Sequence, residues 1–131
     1  MIPRLADTLQ FQAQALTLRA ERQRLLASNI ANADTPGYVA RDIDFAAALR
    51  EAAAVAGAPG SLPAAGAPAA VAERHLRYAA PSQSNLDGNS VDMDRERASF
   101  ADNSVKYEAT LRFINGQLRT LLDAMKSHHQ G

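Results

Sequence analysis

At 131 residues the chain allows one domain with a modest core. Its 14 basic side chains balance 14 acidic ones, and zero net charge gives no field to draw in nucleic acid or an anionic membrane surface. With no cysteine there is neither a disulfide framework nor a thiolate metal site. Tryptophan is absent and alanine supplies much of the apolar fraction, so helices form readily but bury little area per residue.

The first expected element is a helix from about Pro3 to Asn32. Pro3 suits a first turn, and Asp7 sits where the helix dipole favours negative charge. Ile2, Leu5, Leu9, Leu16, Leu26 and Ile30 fall on one face, interrupted at Gln12, Arg19 and Gln23. Phe11, Leu18 and Leu25 form a second series on another face. A helix with two apolar seams needs two partners. The polar members of the first seam are either solvated or hydrogen-bonded across a subunit contact, and the second alternative is the expectation taken here.

The helix ends in Asn29-Ile30-Ala31-Asn32-Ala33-Asp34, whose short polar side chains satisfy loose carbonyls. Thr35 is pushed out of the helical region by Pro36. Pro36-Gly37 fits the centre of a type II turn, with Gly37 supplying the positive φ. Beyond Tyr38, the residues Val39, Arg41, Ile43 and Phe45 share one side of an extended arm too short to assign to a sheet. Asp44 then caps a short helix that stops at Gly57.

From Gly57 to about Ala72 the sequence is mostly alanine, proline and glycine. Prolines at that frequency predict a flexible or locally extended insert without a helix. Leu76 and Tyr78 make a brief contact before Pro81, and Asp87-Gly88-Asn89 turns the chain into its last element. That element is a helix over 92–127, with Asp92 as N-cap and Asp94 and Glu96 placing negative charge in the first turn. Phe100, Ser104, Tyr107, Leu111, Ile114, Leu118, Leu121 and Met125 alternate steps of four and three, a sustained heptad seam.

Candidates for chemistry are few. His75 borders the insert, and His128 and His129 lie in a tail at adjacent positions that lack helical ligand spacing. Asp92, Asp94 and Glu96 lack the loop glycine and closing glutamate of a calcium loop. The cluster Arg19, Arg22 and Arg24 has Glu21 inside it and no interleaved aromatics, so it is a solvated helix face. No catalytic, cofactor-binding or metal-binding residues are assigned, and no cofactor, nucleic acid or direct membrane span is expected. An N-terminus carrying Arg4, Asp7, Gln10, Gln12 and Gln14 lacks the apolar core of a secretory signal.

Asn29-Ile30-Ala31-Asn32 followed by Thr35-Pro36-Gly37-Tyr38 resembles the N-terminal signature of the bacterial flagellar axial proteins, the family of rod and hook subunits. The longer run from Leu26, with Arg41-Asp42-Ile43-Asp44-Phe45, is similar to the proximal rod proteins within that family. Leu86 to Glu96 is similar to the segment opening their C-terminal helix. The resemblance covers both ends and omits the middle.

It implies a structural subunit of the basal-body rod that assembles through its terminal helices into a helical tube. Such a tube transmits torque and surrounds the export channel. The implied partners are copies of itself, other rod proteins, the membrane-embedded base and the flagellar type III export apparatus. The implied location is the periplasmic rod, reached without a cleaved signal.

The expected fold is all-α: long terminal helices packed as a coiled-coil-like hairpin, with a turn, short arm and flexible insert between them. Its parts are an N-terminal helix (1–33), turn, arm and short helix (34–56), insert and turn (57–91) and C-terminal helix (92–127), all in one domain. Asn29, Asn32, Thr35, Pro36, Gly37 and Tyr38 form the expected assembly motif. Leu5, Leu9, Leu16, Leu26, Ile30, Phe100, Tyr107, Leu111, Ile114, Leu118, Leu121 and Met125 form the packing seams. A soluble helical adaptor, binding one partner through the C-terminal seam without polymerising, is the alternative.

Overall fold

A computed structural model describes residues 2–56, 67–78 and 88–130. Helix α1 spans Ile2–Ala31 and helix α4 spans Met93–Gln130. They pack as an antiparallel hairpin: Asn29 near the end of α1 meets Glu96 near the start of α4, and Gln23 meets Ser104 further along. Asp92 caps α4, its Oδ1 accepting the Arg95 N–H at 3.3 Å. The helix runs past residue 127 to Gln130.

Between the long helices lie α2 (Phe45–Ala56), α3 (Ala67–Arg74) and two three-residue strands, β1 (Arg41–Ile43) and β2 (Leu76–Tyr78). Asp44 caps α2 through its Oδ1, 3.3 Å from the Ala47 nitrogen. The strands pair antiparallel, with Arg41 opposite Tyr78 and Ile43 opposite Leu76. The extended arm therefore does find a sheet partner, in the residues expected to make only a brief contact. Its alternation is short because two strands need little length when a helix backs them.

Helix α3 corrects the expected insert. Pro68 is its second residue, where a missing N–H breaks no intrahelical bond. Val71 and Ala72, each 2 % exposed, gain burial in the core. Residues 57–66 of that insert lie outside the described residues, as do Pro81 and Asp87 of the expected turn.

The second seam of α1 finds its partner inside the chain. Leu18 and Leu25 pack with Ile43 of β1, Ala48 and Ala52 of α2, and Val71 and Ala72 of α3. Phe45, Leu49 and Leu76 close the edge of this cluster. Phe45, Ala48, Leu49 and Ala52 share one face of α2 by their helical spacing, and the alanines let α2 approach α1 closely. Each buried leucine contributes about 1.5–3 kcal/mol.

Burial is graded along the hairpin. Among residues whose exposure is described, none before Ala15 on α1 and none after Asn103 on α4 is fully buried. The base of the hairpin, wrapped by α2, α3 and the strands, holds the core. The tip holds two helices that cover each other only by half.

Candidate assembly interface

Three buried asparagines organise the base. Asn29, 1 % exposed, donates through Nδ2 to the Arg41 carbonyl (2.7 Å) and to Glu96 Oε2 (3.0 Å). Its Oδ1 accepts the Arg41 N–H (3.0 Å) and the Tyr38 hydroxyl (3.2 Å). One side chain thus ties the end of α1 to the returning arm and to the first turn of α4. Its four bonds lie within the chain.

Asn89 does the same for the turn. Its Nδ2 lies 2.7–3.0 Å from the carbonyls of Asn32, Ala33 and Thr35, and its Oδ1 accepts the Val91 N–H at 2.8 Å. These are carbonyls of the turn that follows α1, so one side chain holds the turn together. Asn32 adds its own cap, Nδ2 donating to the Ser28 carbonyl at 2.8 Å and Oδ1 accepting the Thr35 hydroxyl at 3.1 Å. Gly37 has φ +73° and the Tyr38 N–H reaches the Thr35 carbonyl at 3.2 Å, the expected type II turn. The Ser90 N–H donates to the Tyr38 carbonyl (3.0 Å), and Ser90 Oγ accepts the Ala40 N–H (2.9 Å).

Asn103, fully buried, joins the long helices. Its Nδ2 donates to the Arg19 carbonyl (2.9 Å) and to Gln23 Oε1 (2.7 Å), while Gln23 Nε2 donates to Ser104 Oγ (2.5 Å). Arg19 and Gln23 were expected to reach another subunit. Gln23 instead bonds α4 of its own chain, and Arg19 lays its guanidinium over the Phe45 ring, 4.0 Å from the centroid. Burial, with Arg22 nearby, pushes the Arg19 pKa down, and Asp102 opposes the shift. Arg22 itself pairs bidentately with Asp42 of β1, at 3.0 and 3.2 Å.

Glu96 carries the site's electrostatics. Burial pushes its carboxyl above the usual range, and the Asn29 amide only partly opposes the shift. In sequence Glu96 is a first-turn charge suited to the dipole; in the fold it is also the acceptor that locks α1 to α4.

The assembly-motif residues thus gather at one corner: Asn29 and Tyr38 around Glu96, and Asn32 and Thr35 around Asn89, joined by Pro36-Gly37. The seam residues divide. Leu26 is buried, whereas Leu5, Leu9, Leu16, Ile30, Phe100, Tyr107, Ile114 and Leu121 are half-buried. Leu111, Leu118 and Met125 are exposed at 37, 42 and 56 %. Along one side of the hairpin a groove of about 690 Å³ runs between the helices, with Ala20, Gln23 and Ala27 on one wall and Phe100, Tyr107 and Leu111 on the other. Sequence reasoning missed Asn89, Glu96 and Asn103 as site residues. Only Asn103 left a signal, a polar residue beside Ser104 on the apolar face.

Among the described residues no cluster of three or more His, Asp or Glu side chains is placed to hold a metal, and no helix is long and apolar enough to cross a membrane. His75 lies in the turn between α3 and β2, its Nε2 2.5 Å from Glu51 Oε2. Arg74 and His75 hold the Glu51 carboxyl below its usual range in an exposed pair.

A family profile described as flagella basal body rod protein matches residues 9–38, from Leu9 of α1 through the turn to Tyr38. The flagellar basal body rod protein FlgB of Escherichia coli K12 is 46 % identical over 138 aligned positions, covering 97 % of this chain and 99 % of that protein. FlgB of Proteus mirabilis HI4320 is also 46 % identical, over 96 % and 98 % of the two chains. FlgB of Cereibacter sphaeroides is 45 % identical over 92 % and 94 %. Alignment at this level runs through the middle of the chain as well as its two ends, and the chain belongs to the FlgB family of flagellar basal body rod proteins.

Proposed function

We propose that this chain is a structural subunit of the flagellar basal-body rod. The observation that carries the reading is identity to FlgB proteins along nearly the whole of both chains. Copies of the chain, other rod proteins and the membrane-embedded base are its neighbours in a helical tube around the export channel. It reaches the periplasm through the flagellar export apparatus without a cleaved signal. Its role is mechanical, and the family is one of structural proteins.

The terminal helices make the contacts, and the motif around Asn29, Asn32, Thr35, Pro36, Gly37 and Tyr38 fixes the corner from which they project. Folding is coupled to assembly, but only in part. The base has its own core and buried polar joint, while the tip has half-covered leucines whose remaining area is buried when neighbours dock. The test is removal of the gene followed by complementation, with basal bodies isolated and their rods examined by mass spectrometry. Rods that contain the chain, and their loss without it, support the reading; intact rods and swimming without the chain refute it.

A further inference from the structure

Five asparagines lie among the described residues, and four of them are locked. Asn29, Asn32, Asn89 and Asn103 each donate hydrogen bonds through the side-chain amide. Asn115 does not. It is exposed on α4, and among the described residues its amide has no partner. It is also the one of the five that precedes a glycine, Gly116.

The helix around this pair is weakly held. Glycine in a helix interior costs about 1 kcal/mol relative to alanine. Thr120 brings its Oγ1 onto the Gly116 carbonyl at 3.0 Å, a back-bond of the kind that loosens and bends helices. Among residues whose exposure is described, none after Asn103 on α4 is fully buried, so opening a turn here uncovers no core. A Cβ at Gly116 would meet nothing within 4 Å, so no neighbour within the chain requires the glycine.

We propose that Asn115-Gly116 is a site of spontaneous deamidation in the free chain, gated by opening of α4. In the closed helix the Gly116 nitrogen is engaged in the i to i−4 ladder and held away from its neighbour's side chain. Once the turn opens, that nitrogen, with no adjacent Cβ to hinder it, loses its proton to base and attacks Asn115 Cγ. The new N–Cγ bond closes a succinimide, the Cγ–Nδ2 bond breaks, and ammonia leaves. Water then opens the ring at either carbonyl, giving aspartate or isoaspartate. The net change is amide and water to carboxylate and ammonium, with no oxidant or reductant.

Isoaspartate carries the main chain through one extra methylene, which the helical ladder cannot absorb. The step falls between Leu111 and Leu118, so the distal seam would lose its register with the proximal one. Ordinary aspartate would be tolerated, because Arg119 stands four residues on as a helical ion-pair partner. Resting on the rod reading, the same chemistry ages free copies, whereas neighbours packed on α4 hold it closed and suspend the reaction.

The test is incubation of the purified full chain in mildly alkaline buffer, with peptide mass spectrometry separating aspartate from isoaspartate. Conversion at Asn115 should exceed that at each of the four bonded asparagines at least about tenfold. Gly116→Ala, whose added methyl has open space, should slow it at least about tenfold. Conversion no faster than at Asn103, or unchanged in Gly116→Ala, overturns the site. For suspension by assembly, isolated basal bodies are incubated alongside the free chain. Rods that contain the chain should convert it at least about tenfold more slowly; equal rates overturn the gating by neighbours and leave the rod reading intact. Absence of the chain from rods refutes the rod reading and, with it, the suspension, while the free-chain site stands on its own measurement.

Discussion

Replacing Asn29 with alanine removes four hydrogen bonds at once, and the cost follows from what each partner does next. Glu96 loses the amide that opposes its desolvation, and at 8 % exposure it has little access to water. The Arg41 N–H and carbonyl lose both bonds at the start of β1, but Arg41 is only half-buried and water can reach it. Tyr38 keeps the Ser28 hydroxyl at 3.1 Å. An orphaned buried polar group costs about 1–3 kcal/mol, more when charged. Counting Glu96 near the top of that range, Arg41 near the bottom and Tyr38 as negligible gives about 3–5 kcal/mol.

Against a total stability of about 5–15 kcal/mol, such a loss is large. At a urea m-value of about 2 kcal/mol/M it moves the unfolding midpoint down by about 2 M. The assay is urea denaturation of the purified chain followed by circular dichroism. Tyr38→Phe, which removes one of the four bonds, should cost only about 0.5–1.5 kcal/mol. A change below about 1 kcal/mol in Asn29→Ala would falsify the assignment of this side chain as the joint between α1, the arm and α4.

Glu96→Gln should change how stability depends on pH. The folded-state pKa of Glu96 is raised, so its linked stability is fully present below the ordinary value of 4.5 and is lost as pH rises through the folded value. The variant should lack this decline, and urea midpoints of both proteins at about pH 4 and about pH 7 measure the difference. Gly37→Ala meets no side chain or backbone within 4 Å, so its cost is the positive φ alone, about 1 kcal/mol, readable as a small fall in melting temperature. Leu111→Asp or Leu118→Asp should leave the base folded and abolish incorporation into rods; normal rods from either would remove the exposed seam from assembly. Hydrogen exchange on the dilute chain should protect α1 from about Leu18 to Ala31 and leave its first three turns and α4 beyond Leu111 fast, while uniform protection would contradict a base that folds before the tip.

The long helices were legible because period and caps agree. Asp92 and Asp44 cap helices as their positions suggest, and Pro36-Gly37 makes the turn its residues require. Two seams on α1 correctly implied two partners, but their identities depended on contacts far apart in sequence. The Leu18–Leu25 series packs on α2 and α3, and α3 was hidden because a proline normally signals a break. At the second helical position Pro68 breaks nothing, and only burial of Val71 and Ala72 distinguishes that helix from a linker.

The polar joint was less legible for the same reason. An asparagine near a helix end is satisfied locally in most settings, and nothing adjacent to Asn29 announces Glu96, 67 residues away. Gln23 illustrates the reverse error: a polar residue in an apolar seam was assigned to a neighbouring subunit when its partners, Asn103 and Ser104, stood on the opposite helix of the same chain.

The graded hairpin gives this division a mechanical consequence. Buried polar groups cost desolvation and recover it only in one arrangement, so Asn29, Asn89 and Asn103 select a single geometry where an alanine-rich core alone would tolerate sliding. All three lie at the base. Beyond Ser104 the half-buried face of α4 carries Tyr107, Ile114 and Leu121, apolar contacts that accept small shifts in register more readily than buried hydrogen bonds do. A subunit built this way holds a fixed angle at one end and adapts at the other. Neighbours that are not quite equivalent can then be met by adjustment of the tip, without breaking the joint that sets the direction of the helices.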